Sequence, residues 1–175
     1  MNFKGHIIGG CISGTAITAV KLLSDGSLDF SSFPQEAALI FGITVFFSIF
    51  PDLDTESIPQ RWFYRTVFLL LLYLGYKKHY GLATLLAIVA ITPRTDHHRG
   101  WTHHYFSSVL IPLFLAGFYE YVLAKNQSHD WPFYCMYEHF IDRLWLVIAC
   151  IIGWNTHLLL DSQLFLFKNN KRYRP

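Results

Sequence analysis

Residues 33–54 read FPQEAALIFGITVFFSIFPDLD, and this stretch decides the fold. The run 33–50 exceeds strand length and lacks strict period-2 alternation, so it reads as a helix. Its length lies within the roughly 17 to 25 residues that a membrane-crossing helix needs. Pro51 stops it, because the residue before a proline is pushed out of the helical region. Asp52 and Asp54 follow at once, and at alternate positions both carboxylates can face one way if the loop is extended. The pattern predicts an apolar helix that ends in a pair of acids.

The same grammar recurs along the chain. Further apolar segments run over 7–23, 62–76, 82–92, 103–124 and 142–167. They are separated by Ser24-Asp25-Gly26-Ser27, by Lys77-Lys78-His79-Tyr80-Gly81 and by Pro93, with Pro112 a kink site in the fifth segment. The first, second, fifth and sixth segments reach crossing length. The third does so only with its flanks, and the fourth is too short unless its neighbours shelter it. The expected fold is all-α: a multi-pass helical membrane bundle of about six helices, forming a single domain over 1–175. The polar and aromatic segment 126–138 is assigned no chemistry.

Composition agrees. Of 175 residues, 53% are hydrophobic and 18% aromatic, while 15% are charged, against roughly 25% in soluble domains. The aromatic content excludes a disordered chain, and a net charge of +2 gives no footprint for nucleic acid. Cys11, Cys135 and Cys150 are far apart and never in a Cys-x-x-Cys pair, so neither a disulfide framework nor a thiolate zinc cluster is expected. Ile8-Gly9-Gly10-Cys11 is not expected to be a lipoprotein processing box, because the apolar run before it is shorter than a signal segment requires.

If each segment crosses, the side that holds the N-terminus carries Lys4, Arg61, Arg65, Arg94, Arg99, Lys168, Lys171, Arg172 and Arg174. The other side carries Lys21, Lys77, Lys78, Lys125 and Arg143. The positive-inside rule makes the first side cytoplasmic. Every cluster of metal-type ligands falls on that same side: His6, Asp52 with Asp54, His97-His98 with His103-His104, and His157 with Asp161. His157 and Asp161 are four apart, so on a helix they project from one face and can share a metal. In Asp96-His97-His98-Arg99-Gly100-Trp101-Thr102-His103-His104, imidazoles suit divalent ions, and the Arg99 guanidinium suits phosphate or carboxylate oxygens. Thr102 is a candidate cap for the fifth helix. Which of the four histidines face inward stays open. The donors suffice for two metal ions, and mixed His/Asp sets suit zinc, manganese or iron. Such ions clamp a phosphoester and activate water, with a spare carboxylate as base.

His6-Ile7-Ile8-Gly9-Gly10, Pro51-Asp52-Leu53-Asp54, His98-Arg99-Gly100-Trp101-Thr102-His103 and Gly153-Trp154-Asn155-Thr156-His157-Leu158-Leu159-Leu160-Asp161 resemble the successive motifs of the LexA-regulated, YdjM-like membrane-bound metal-dependent hydrolases. The resemblance implies a multi-pass protein of the bacterial inner membrane, distantly similar to zinc-dependent phospholipases C. It also implies His6, Asp52, Asp54, His98, His103, His157 and Asp161 as ligands, with zinc the leading metal. His104 departs from the pattern, standing where a small serine-like residue is common.

The expected function is membrane-bound hydrolysis of a phosphoester in a lipid or lipid-linked substrate. Asp54 or Asp161 would assist proton transfer, and Arg99 would hold the phosphate. Rival readings are a metal transporter or sensor without hydrolysis, a membrane scaffold with incidental histidines, and a soluble helical metalloenzyme.

Overall fold

The computed structural model describes residues 3–24, 34–54, 58–95, 101–127 and 132–161. Its helices are α1 (Phe3–Ser24), α2 (Pro34–Ile49), α3 (Ile58–Tyr76), α4 (Tyr80–Ile91), α5 (Tyr105–Gln127), α6 (Pro132–Asp142) and α7 (Leu144–Leu160). Short 3-10 turns cover Phe50–Asp54, Thr92–Thr95 and Trp101–His103, and no strand occurs among the described residues. The all-α expectation holds, with seven helices among the described residues where about six were expected. The additional one, α6, grows from the segment that carried no assigned chemistry. It is amphipathic, and its apolar run, Phe133 to Tyr137, is too short to mark a crossing segment. It meets α7 at a bend of 64°. The end of the expected sixth segment, beyond residue 161, lies outside the described residues.

The central element is α2, with α1 and α7 packed on it. Between apolar helices in a bilayer, close packing stands in for the hydrophobic effect, and small residues allow it. A Cβ at Gly10 would overlap the Ser48 hydroxyl, and one at Gly153 would overlap the Thr44 carbonyl of α2. Phe47, Phe50, Leu53, Leu115, Trp154 and Leu158 form the larger buried cluster, and Ile17, Ile40 and Ala149 a smaller one.

An antiparallel hairpin of α3 and α4 flanks this core. Its turn is a Schellman motif: the Lys78 N–H donates to the Gly75 carbonyl at 3.0 Å and the His79 N–H to the Leu74 carbonyl at 2.9 Å. Lys78 takes the left-handed position with φ of 60°. The Tyr64 hydroxyl donates to the Ala90 carbonyl at 2.9 Å, tying the start of α3 to the end of α4. Packed between α3 and α5, the short α4 has the shelter that its length demands.

By length and composition, α1, the Gln35–Leu53 segment and α5 can each cross a membrane, and α6 with α7 can form a fourth, bent span. Among the described residues the candidate spans number three or four, and they fall on the first, second, fifth and sixth expected segments, the four that reach crossing length. Arg61 and Arg65 make the first half of α3 polar, and α4 has only 12 residues. Phe68, Leu69, Leu72, Phe106, Leu110 and Phe114 are exposed, an outer apolar surface that suits lipid. Cys11 sits in the middle of α1, half-buried like Cys135 and Cys150.

Candidate metal centre

One end of the bundle gathers the start of α1, the turn after α2, the turn before α5 and the end of α7. Their side chains His6, Asp52, His103, His157 and Asp161 meet there.

The end of α2 shows how the sequence builds the site. Pro51 tightens the chain into the 3-10 turn Phe50–Asp54, where an extended loop was expected. In such a turn the i+3 donor to the Ser48 carbonyl would be Pro51, which has no N–H. That carbonyl instead lies 2.9 Å from His157 Nδ1. A carbonyl only accepts, so Nδ1 carries the proton and His157 Nε2 presents a lone pair. The Ser48 hydroxyl also reaches the His6 carbonyl at 3.0 Å, holding α1 against α2.

The turn Trp101–His103 is anchored from α7. Trp154 Nε1 donates to the Thr102 carbonyl at 2.9 Å, and the Ser108 hydroxyl donates to Asn155 Oδ1 at 3.0 Å. Thr102 does not cap α5. Its hydroxyl lies 3.2 Å from His103 Nδ1, directing His103 Nε2 into the site. The carbonyl that accepts the first α5 N–H groups, from Ser107 and Ser108, belongs to His104.

His6 Nε2 is 3.2 Å from Asp161 Oδ1 and 3.6 Å from Asp52 Oδ2. His157 Nε2 is 3.5 Å from Asp52 Oδ1 and 3.8 Å from Asp161 Oδ2. Donors at about 2.0 to 2.2 Å from a tetrahedral ion stand about 3.3 to 3.6 Å apart, and these four His–Asp distances, from 3.2 to 3.8 Å, bracket that spacing. Their ligand atoms all lie within 4.8 Å of one another. His103 Nε2 stands at the edge of the group, 3.4 Å from His157 Nε2 and 3.9 Å from Asp52 Oδ1.

Two observations fit a cation. The rings of His6 and His157 stack at 4.1 Å and both are fully buried, yet neither ring nitrogen of His6 has a hydrogen-bond partner. A buried polar atom without a partner is costly unless something else satisfies it. The carboxylates of Asp52 and Asp161 also share one small volume, where a divalent charge would balance them. Asp52 is the most accessible of the five, with its side chain 20% exposed, so the approach from outside is on its side.

Of the ligands expected from sequence, His6, Asp52, His103, His157 and Asp161 are brought together. His98 and Arg99 lie outside the described residues, as does the side chain of Asp54. His104 is exposed, which separates it from its neighbour His103. The described donors compose a group for one ion, and the second expected ion would draw on residues outside the description. Sequence reading missed the orienting roles of Ser48 and Trp154. The signal for Ser48 was its place three residues before a proline at the end of an apolar run, where a backbone carbonyl loses its donor.

The model of the YdjM inner membrane protein family matches residues 1–164, and the chain belongs to that family. No curated protein and no solved structure matches it.

Proposed function

We propose that this member of the YdjM inner membrane protein family is a metal-dependent hydrolase that cleaves a phosphoester of a lipid or lipid-linked substrate. The observation that carries the proposal is the convergence of His6, Asp52, His157 and Asp161, with buried His6 nitrogens that lack hydrogen bonds. Zinc suits this His2Asp2 set best, with manganese and iron as alternatives. A second ion would be held by His103 together with His98 and Asp54. A divalent ion supplies Lewis-acid chemistry that makes water nucleophilic near neutral pH.

The chain's own residues do the rest. His157 is fixed by the Ser48 carbonyl and His103 by Thr102, so their Nε2 atoms stay aimed without reorganisation. Asp161 or Asp54 accepts the proton released from water, and Arg99 grips the phosphate with its planar fork of donors. A site at helix ends would sit at headgroup level, and the excess of basic residues in the loops of that side supports a cytoplasmic position for it. That position also favours hydrolysis over transport, since transporter sites lie near the bilayer midplane.

The test is elemental analysis of detergent-purified protein beside Asp52→Ala and His157→Ala, followed by hydrolysis assays on phosphoester lipids. One or two equivalents of metal, lost in both variants, with lipid hydrolysis by wild type alone, is the expected result. Metal without hydrolysis would support the transporter or sensor reading. No metal in folded protein never exposed to chelator would overturn both.

A further inference from the structure

A second feature lies on the far side of the core from the metal centre. Between α2, α4, α5, α6 and α7 is a cavity of about 450 Å³, within the size range of small-molecule sites. Its walls are apolar, formed by residues such as Ile43, Leu85, Val89, Leu115 and Val147. Phe47 lines the end nearer the metal centre. It precedes Ser48, whose carbonyl holds His157, and stacks on buried Trp154 with ring centroids 6.0 Å apart. This aromatic layer separates the cavity from the ligands.

The other end is polar. Arg143, in the bend between α6 and α7, donates through Nη1 to Glu120 Oε2 at 2.6 Å. Glu120 is buried, with its side chain 3% exposed, whereas that of Arg143 is 39% exposed. The guanidinium also lies over Tyr119, 5.9 Å from the ring centroid. A guanidinium has five donors, so with Nη1 on Glu120 an outward edge is left for an anion. Along α2 the cavity runs from Leu39 to Phe47, a rise of about 12 Å. That is close to one leaflet of a hydrocarbon core roughly 30 Å thick.

We propose that this cavity takes one hydrocarbon chain of a phospholipid from the leaflet remote from the metal centre, with the lipid phosphate on the outward edge of Arg143. The apolar walls offer water few hydrogen-bond partners, and a chain from the adjoining leaflet matches the depth and the lining. Arg143 stands where the headgroup of such a lipid would lie, and Glu120 fixes its orientation. The occupant is a resident lipid, distinct from any substrate of the metal centre.

Native mass spectrometry of the delipidated full chain, titrated with phosphatidylglycerol and with diacylglycerol, tests this. One phosphatidylglycerol should bind at least tenfold more tightly than diacylglycerol, and Ala116→Phe, which fills the cavity, should weaken binding at least tenfold. Equal binding of the two lipids, or wild-type binding by an Ala116→Phe protein with normal thermal unfolding, would overturn the proposal. A measurement on wild type covers a variant that does not fold: phosphatidylglycerol with a photoactivatable group in its chain should crosslink to Leu85, Val89 and Leu115. Crosslinks confined to outward-facing Leu72, Leu110 and Phe114 would also overturn it.

Discussion

Gly153→Ala is the substitution in which packing and metal chemistry are read together. Gly153 faces the backbone of α2, where a Cβ would overlap the Thr44 carbonyl oxygen and stand 3.0 Å from the Thr44 carbonyl carbon and 3.1 Å from Phe47 Cβ. A helix backbone cannot turn aside, so α7 must move away by roughly 1 Å to restore ordinary contact distances. Overpacking of this kind costs about 1–3 kcal/mol. The displacement does not stay local. One turn beyond Gly153 is His157 and one turn beyond Thr44 is Ser48, and they are joined at 2.9 Å. A shift of roughly 1 Å takes that bond past hydrogen-bond range, and loss of a partner that orients a metal ligand lowers affinity about 10- to 100-fold. The assay is thermal unfolding in detergent alongside zinc competition with a chromophoric chelator. The control is Gly117→Ala in α5, where an added Cβ meets nothing within 4 Å and helix propensity should raise stability by about 0.5–1 kcal/mol. If Gly153→Ala behaves like Gly117→Ala in both measurements, the contact between α2 and α7 does not set the geometry of the site.

Other substitutions probe separate parts of the structure. Trp154→Phe keeps a ring against Phe47 and Phe50 but removes the donor to the Thr102 carbonyl; it should cost about 1–3 kcal/mol and weaken metal binding through His103, seen in the same zinc competition. Lys78→Gly replaces a left-handed lysine by the residue that the position prefers, and should raise stability by about 1 kcal/mol with unchanged metal content. Arg143→Gln strands the buried Glu120 carboxylate and should cost about 3–5 kcal/mol. Glu120→Gln should cost clearly less in thermal unfolding, because the Arg143 side chain is 39% exposed and reaches other partners.

Much of the fold was legible in the sequence because apolar runs and their breakers are local signals. Pro51 ended α2, and Lys77 to Gly81 held the turn between α3 and α4. The helix that escaped was α6, whose apolar run from Phe133 to Tyr137 is short and is broken by Glu138 and His139. The alternation of segments also placed His6, Asp52, His157 and Asp161 at one end of the bundle, because successive crossings return the chain to the same side. It could not say which histidine of a pair points inward. His103 is buried in the site and His104 is exposed beside it, a choice made by Trp154 and Thr102 rather than by any property of the two histidines.

By itself, then, the sequence determined an apolar helical chain with its ligand-type residues at segment ends, since hydropathy and proline geometry act over a few residues. The spacing of the donors, the tautomer of His157 and the burial of the His6 nitrogens without hydrogen bonds came from the tertiary structure. Those depend on how closely α1, α2 and α7 approach, and that is set by Gly10 against Ser48 and Gly153 against Thr44, contacts between residues far apart in the chain. The cavity ending at Arg143 belongs to the same category, because its walls come from five helices and no single segment carries its shape.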